Sequence, residues 1–451
     1  MTTKALNFGV RSSDFLRASG FGLRISVSAA LLLVLAFPGG AAEAPARLTL
    51  KEAHETALRL HPRISVADLR ALAAQQVTRE VRSAFFPNLS ANALGVGTAH
   101  NNTRLEAIGA LNNPTIYERN AEGLVLSQLL TDFGRTANLT GSARLQAKAE
   151  QNNAQATREQ ILLAVDAAFF SVLRAQAVTE VARQTMAARQ VFLEQVSVMA
   201  SNKLKSELDV SFARVNVEDA RLLLVKAQND LQAGFAQLST LLGLREAKTW
   251  QLVEEPMPPT LSSNVFGFVD TALRNRPDLL SLTAQRDAAL RRARAEREAR
   301  YPTLSAVASA GVAPVRADPL PANYAAAGVV LTMPLYAGGY YAARQHEAEL
   351  RARAAEESLR DLENNIVRDV RIAWLDAQNA FDRFVIAGQL LDNAKLSYDL
   401  AQARYLNALS SIVEINQAQL NLVAAQIGYA TTQYEYLIQR SALDYQMGAL
   451  R

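Results

Sequence analysis

The chain says nearly the same thing twice, and that constrains its fold more than any other feature. Ala57-Leu58-Arg59-Leu60-His61-Pro62 is answered by Ala272-Leu273-Arg274-Asn275-Arg276-Pro277, and Ala84-Phe85-Phe86-Pro87-Asn88-Leu89-Ser90 by Ala299-Arg300-Tyr301-Pro302-Thr303-Leu304-Ser305, at one offset of 215 residues (272 minus 57). Further on, Gly123-Leu124-Val125-Leu126-Ser127 matches Gly328-Val329-Val330-Leu331-Thr332, Ala168-Phe169 matches Ala373-Trp374, and Leu241-Leu242-Gly243 falls opposite Gln446-Met447-Gly448, at an offset of 205 (328 minus 123). Such a repeat describes architecture before chemistry. The change of offset falls between residues 90 and 123, in a loop tip, where insertions are tolerated.

The first residues read as a targeting segment. Lys4, Arg11, Arg17 and Arg24 form a basic stretch, residues 25–37 are a short apolar run, and Pro38-Gly39-Gly40-Ala41-Ala42 supplies small residues for cleavage. Residues 1–42 are therefore expected to be a secretory signal peptide, cleaved near 42–44; as a membrane anchor the apolar run falls short of the roughly 20 residues a spanning helix needs. Without it the chain carries 43 basic and 42 acidic side chains (47 minus 4, 43 minus 1), a balance that gives no support to nucleic-acid binding. There is no cysteine, which excludes disulfides, thiolate metal sites and a lipid-modified N-terminal cysteine. No later stretch reads as a membrane helix, so a membrane crossing implies strands.

Proline, glycine and apolar spacing divide the remainder into two repeats, 48–245 and 263–448, joined by a linker at 246–262 that contains Pro256, Pro258 and Pro259. Each repeat is expected to run helix, break before proline (Pro62, Pro277), helix, strand hairpin (88–130; 303–334) and long antiparallel helical hairpin (136–243; 340–448). About 65 residues of uninterrupted helix make a rod on the order of 100 Å long. Coiled-coil seams are read through Val181, Thr185, Ala188, Phe192 and Met199, and through Ala227, Leu231, Gly234, Leu238 and Leu241. The strands are rich in small residues, and Thr303 to Val312 alternates, with Leu304, Ala306, Ala308, Ala310 and Val312 on one face, suited to lipid, and Thr303, Ser305, Val307, Ser309 and Gly311 on the other. Four strands cannot close a membrane barrel, so copies of the chain must complete it with 8, 12 or 16 strands. Phe85, Phe86, Phe133, Tyr301, Tyr336, Tyr340 and Tyr341 cluster where strands meet helices; as a group they read as an interfacial girdle, although any one could simply pack into a core at the joint.

The doubled layout resembles a known family. Leu129-Leu130-Thr131-Asp132-Phe133-Gly134-Arg135, Met333-Pro334-Leu335-Tyr336-Ala337-Gly338-Gly339, and Tyr405 followed by Ser410-Ser411-Ile412-Val413-Glu414-Ile415-Asn416-Gln417-Ala418 are similar to the TolC family of outer-membrane efflux and secretion ducts, over about Leu48 to Gly448. The resemblance implies a mainly α fold with a membrane β-barrel portion: a homotrimer whose twelve strands form one barrel, continued by a periplasmic helical tunnel that is closed at its far end. It also implies partners, a periplasmic adaptor (membrane fusion) protein and an inner-membrane transporter of RND or ABC type, and a passive role in efflux or type I secretion. The competing reading is a soluble periplasmic coiled-coil adaptor or spacer.

The helical reversals carry the candidate gate. The repeat pairs Asp209 with Glu414 (414 minus 209 gives 205), each in the first turn of a returning helix, where the dipole alone favours a carboxylate by roughly 0.3 to 1 kcal/mol. The resemblance implies instead that both line a cation-selective entrance, with Tyr405, Ser410 and Gln417 beside them. Gln417, Ser410 and Ala408 stand where the family motif has an acid, an arginine and a glycine. Lys203, Lys205, Leu406 and Ala408 mark the two tips; they are solvated or contact an adaptor. Arg291, Arg292, Arg294, Arg297 and Arg300 read as a solvated, salt-bridged helix face or as contacts to anionic lipid. Enzyme signals are absent: His54, His61, His100 and His346 are scattered, no phosphate loop follows a strand, and neither cofactor nor metal site is expected.

Overall fold

Helix ends fall where the sequence removes a donor or frees φ. The computed structural model describes residues 47–96, 105–106, 115–116, 119–262, 264–315, 321–407 and 409–450, all within one unit from Pro45 to Arg451. In chain order the elements are β1 (Arg47–Leu48), α1 (Leu50–Leu60), α2 (Pro62–Arg82), a 3-10 turn (Ser83–Phe85), β2 (Asn88–Val96), β3 (Leu105–Glu106), β4 (Thr115–Ile116), β5 (Arg119–Thr131), α3 (Arg135–Ser201), α4 (Glu207–Leu241), β6 (Gln251–Leu252), α5 (Val265–Asn275), α6 (Pro277–Glu298), β7 (Thr303–Val315), β8 (Asn323–Thr332), α7 (Tyr340–Leu406) and α8 (Ile412–Gln446). The expected leader, Ala408 and much of the loop holding the length difference lie outside the described residues.

The helices and long strands of the two repeats correspond one to one, whereas the 3-10 turn and the short β3 and β4 have no counterpart among the described residues of the second repeat. α3 and α7 each have 67 residues, α4 and α8 each 35, and α1 and α5 each 11. Local chemistry explains the ends. Thr49 and Glu52 form a capping box at the start of α1, and Pro62 and Pro277 open α2 and α6 at the position where a missing N–H costs nothing. Gly134 and Gly339, at φ +108° and +83°, turn strand into long helix. Gly243 (φ +78°) ends the first hairpin so close to the α1–α2 break that a Cβ there would lie 2.6 Å from the Leu60 carbonyl oxygen. Gly448 (φ +66°) meets the Arg276 backbone at 3.1 Å in the same way. Each hairpin therefore docks on the proline break of its own repeat.

The main core lies midway along the rods. Ile161, Val165, Phe169 and Val172 of α3 pack with Phe235 and Leu238 of α4, Ala53 and Ala57 of α1, and Tyr434 and Leu437 of α8. This corrects the expectation that nothing after the leader resembles a membrane helix: α3 holds an 18-residue window of mean hydropathy 1.7, and half of it is buried inside the protein. That stretch is apolar because it is packed from two sides. The seam of α3 also differs from its expected register. Thr185 and Phe192 are buried, but the other seam positions are Ala182, Arg189 and Val196, whereas Ala188 is exposed. An arginine at a seam position hides the pattern; its guanidinium reaches the Asn216 carbonyl at 2.6 Å. The 246–262 stretch is also more than a linker, since Gln251–Leu252 pairs in parallel with Arg47–Leu48, and Tyr434 and Tyr436 donate to Glu254 and to the Pro259 carbonyl at 3.2 and 3.4 Å.

At the other end of the long helices β2, β5, β7 and β8 form an antiparallel sheet in the order β2-β5-β7-β8. The register puts Leu89, Leu124, Leu126, Ala308, Ala310, Ala327 and Leu331 on one face and Ser90, Ser127, Ser305, Ser309 and Thr332 on the other. Among the described residues β2 and β8 each have one neighbour, which leaves two open edges.

Candidate gate and membrane girdle

The tips of the two helical hairpins are joined within one chain. Phe192, Val196, Val210, Ala213, Ala401, Tyr405, Ile412 and Ile415 form a second apolar cluster, drawn from all four long helices. Asn216 donates to Asn416 Oδ1 at 2.8 Å and adds a polar tie between α4 and α8. Tyr405 is central: its ring is buried, stacked obliquely on Phe192 at 5.6 Å, and the ammonium of Lys205 sits 3.8 Å from the ring centroid. The same Nζ donates to the Tyr405 carbonyl at 3.3 Å. Burial, with the Asp209 carboxylate nearby, pushes the Tyr405 phenol up to about 12, so it is neutral. Its hydroxyl and that of Ser410 have no hydrogen-bond partner among the described residues.

Lys205 is half-buried, and within one chain its ammonium is engaged by the second hairpin. It is held between two hairpins because a π face attracts a partly desolvated ammonium. Lys203 is exposed and adopts φ +60°; its backbone turns the end of α3, with Lys203 N donating to the Ala200 carbonyl at 2.9 Å. Leu406 is exposed.

The two paired carboxylates behave differently. Asp209 closes a capping box: it accepts from Ser206 N at 3.0 Å and Ser206 Oγ at 2.8 Å, while Ser206 Oγ accepts from Asp209 N at 3.2 Å. That Ser-x-x-Asp spacing was legible in the sequence. In the second repeat Ser411 makes no side-chain cap, and Glu414 turns to Arg404 at 3.5 Å. Arg404 was missed, because nothing in a linear reading links it to a carboxylate across the reversal. Gln417 is exposed and donates to Asn421 Oδ1 at 3.0 Å. The structure therefore brings Tyr405, Lys205 and Asp209 together and leaves Glu414 and Gln417 on a separate, more open face.

At the opposite end, Phe85, Phe86, Phe133, Tyr301, Tyr336 and Tyr340 are all exposed at the joint between sheet and helices. Within one chain Tyr336 is 91 % exposed. Phe133 meets Tyr301 edge-on at 6.3 Å, and Tyr340 meets Tyr341 at 5.3 Å. Between the helices below lies a concave cavity of about 890 Å³, lined by Ala74, Val77, Glu150, Arg292, Glu296, Arg344 and Arg351 among others.

The chain combines an open four-stranded sheet with an aromatic foot and two helical hairpins whose tips are locked together. In comparison with known proteins, the profile of the outer membrane efflux protein family matches residues 53–244 and 268–449, one segment per repeat, and the chain belongs to that family. It is 24 % identical over 412 residues to the outer membrane protein TolC of Escherichia coli strain K12, covering 86 % of this chain and 80 % of that protein. It is 26 % identical over 355 residues to the solvent efflux pump outer membrane protein SrpC of Pseudomonas putida, covering 76 % and 73 %. The crystal structure of the outer membrane protein VceC from Vibrio cholerae superposes with a TM-score of 0.74 at 19 % identity, over 88 % of this chain and 96 % of that one. The protein is an outer-membrane protein, and the reading as a soluble spacer is set aside. Its relatives are channels, which fits a protein that is not an enzyme.

Proposed function

We propose that three copies of this chain form a passive outer-membrane duct, gated at its helical tips and joined to an energised inner-membrane transporter of RND or ABC type through a periplasmic adaptor, for efflux or type I secretion. The observation that carries this is an imbalance between the repeats. α6 packs on both α3 and α7, and α8 on both α7 and α3, whereas α2 and α4 pack chiefly on α3. The sides left open on α2 and α4 expose Val66, Leu69, Leu222 and Val225, and α7 exposes Ile372, Leu375, Leu390 and Leu396. A second copy placed so that its α7 repeats the relation of α3 to α6 would cover these faces and pair β8 of one copy with β2 of the next. Three copies then give twelve strands with no open edge, the condition lipid imposes.

The tips supply the closed state. Lys205 on the first hairpin holds Tyr405 at the end of the second, so separating the hairpins breaks a cation–π contact and a hydrogen bond in each chain. Heat-modifiable migration, a trimeric mass in detergent and discrete conductance steps in a planar bilayer are expected; a monomer soluble without detergent would overturn the reading. Co-purification from membranes with an adaptor and a transporter tests the partners.

A further inference from the structure

We propose that the convex face at the foot of the sheet binds the phosphate groups of anionic phospholipids in the inner leaflet of the outer membrane, through Arg79, Arg82, Arg294 and Arg297. Both repeats carry this set. Arg79 and Arg294, Arg82 and Arg297, and Phe86 and Tyr301 are related by the same offset of 215 residues (294 minus 79), although the helices around them have otherwise diverged. The placement follows from the cavity between the helices. Ala74 and Val77 of α2 and Ala289 and Arg292 of α6 line it together with residues of α3 and α7, so those positions mark the concave side of the curved wall. At about 100° per residue, Arg79 and Arg294 stand roughly 200° beyond Val77 and Arg292, and Arg82 and Arg297 roughly 140° beyond. All four therefore lie on the convex side, and all four are exposed.

The carboxylates nearby are engaged elsewhere. Glu296 is paired with Arg344 at 2.8 Å, and Glu298 accepts from Asn138 Nδ2 at 2.9 and 2.8 Å. Arg291 donates to Asn138 Oδ1 at 3.2 Å. Glu80 points at least about 100° away from Arg79 and Arg82 around the helix. None of the four arginines has a carboxylate partner among the described residues, whereas Arg351 and Arg360, farther from the sheet, pair with Glu347 and Glu357. The Arg82 guanidinium lies 5.9 Å from the centroid of the exposed Phe86 ring, which fixes it at the level of the aromatic girdle. Aromatics sit at the headgroup level of a bilayer. A forked guanidinium immediately beside them matches two phosphate oxygens, and each such cation near anionic lipid favours binding roughly fivefold.

The inference rests on the membrane placement of the proposed channel, and outer-membrane fractionation of the full-length protein tests that placement separately. The lipid site is tested by native mass spectrometry of the detergent-purified protein offered equal phosphatidylglycerol and phosphatidylethanolamine. Wild type is expected to retain phosphatidylglycerol at least about tenfold over phosphatidylethanolamine; the Arg79→Gln, Arg82→Gln, Arg294→Gln, Arg297→Gln variant is expected to lose that preference, the four Arg→Lys changes to keep most of it, and Arg360→Gln to leave it unchanged. Single Arg→Gln variants are each expected to lower it measurably. Wild-type retention by the quadruple variant, or no effect of any single change, would overturn the proposal. Complete displacement of the lipid by millimolar inorganic phosphate would also overturn it, since the site would then read free phosphate.

Discussion

Removing the Lys205 ammonium should open the periplasmic end. In Lys205→Ala each chain loses a cation–π contact at 3.8 Å from the ring centroid and a hydrogen bond at 3.3 Å to the Tyr405 carbonyl. The site is half-buried, so the first contributes about 1 kcal/mol, between the exposed and desolvated limits. The second is long and adds about 0.5 kcal/mol. The sum, about 1.5 kcal/mol per chain, becomes about 4.5 kcal/mol if the three chains of the proposed trimer open together, a shift of roughly three decades in the closed-to-open ratio; independent opening gives roughly tenfold per chain. Single-channel recording in planar bilayers reads this directly, as longer and more frequent high-conductance openings of the variant. Tyr405→Phe is the companion. The ring, its Phe192 contact and the backbone carbonyl remain, and the hydroxyl that is lost has no partner among the described residues, so gating should be unchanged. Equal open probabilities for Lys205→Ala and wild type would refute the argument. So would Tyr405→Phe opening as widely as Lys205→Ala, because the hydroxyl would then carry the closure.

Asp209→Ala should remove the capping box of α4 and lower stability by about 1 kcal/mol with little change in ion selectivity, whereas Glu414→Ala should release Arg404 and reduce preference for cations in reversal-potential measurements. Gly243→Ala should cost at least about 2 kcal/mol, visible as a lower Tm in detergent, because a left-handed φ is combined with a clash against the Leu60 carbonyl that no side-chain movement relieves. Burial holds the phenols of Tyr405 and Tyr434 up to about 12, so above pH 10 the unfolded chain releases these protons while the folded chain keeps them. Their contribution to stability is then lost as pH rises from 10 through about 12, and Tyr405→Phe with Tyr434→Phe should flatten that limb of a Tm-against-pH curve.

The sequence by itself determined where the long helices and the two strand hairpins fall, but not the short strands β1, β3, β4 and β6. Pro62 and Pro277 end one helix and begin the next, Gly134 and Gly339 turn strand into rod, and the 3.6-residue spacing marks rods that reach 67 residues in both repeats. These are local effects, set by a missing N–H, a permitted φ or a periodicity, and a linear reading contains them. The same holds for Asp209, whose cap is three residues away.

Only the tertiary structure decided the rest. The α3 seam passes through Arg189 because a carbonyl on the neighbouring helix can accept its guanidinium, which apolar counting does not anticipate. Arg404 and Glu414 meet only because a reversal brings them together, and Lys205 finds Tyr405 on the far hairpin although the two are 200 residues apart. The duplication conceals this. At the tips the repeats place Lys205 against Ser410, Ala200 against Tyr405 and Met199 against Arg404, so the lock is made from positions where the copies disagree. The repeat fixes two equal halves, but the contacts that close one upon the other depend on which helix faces come to lie together, and packing in three dimensions sets that.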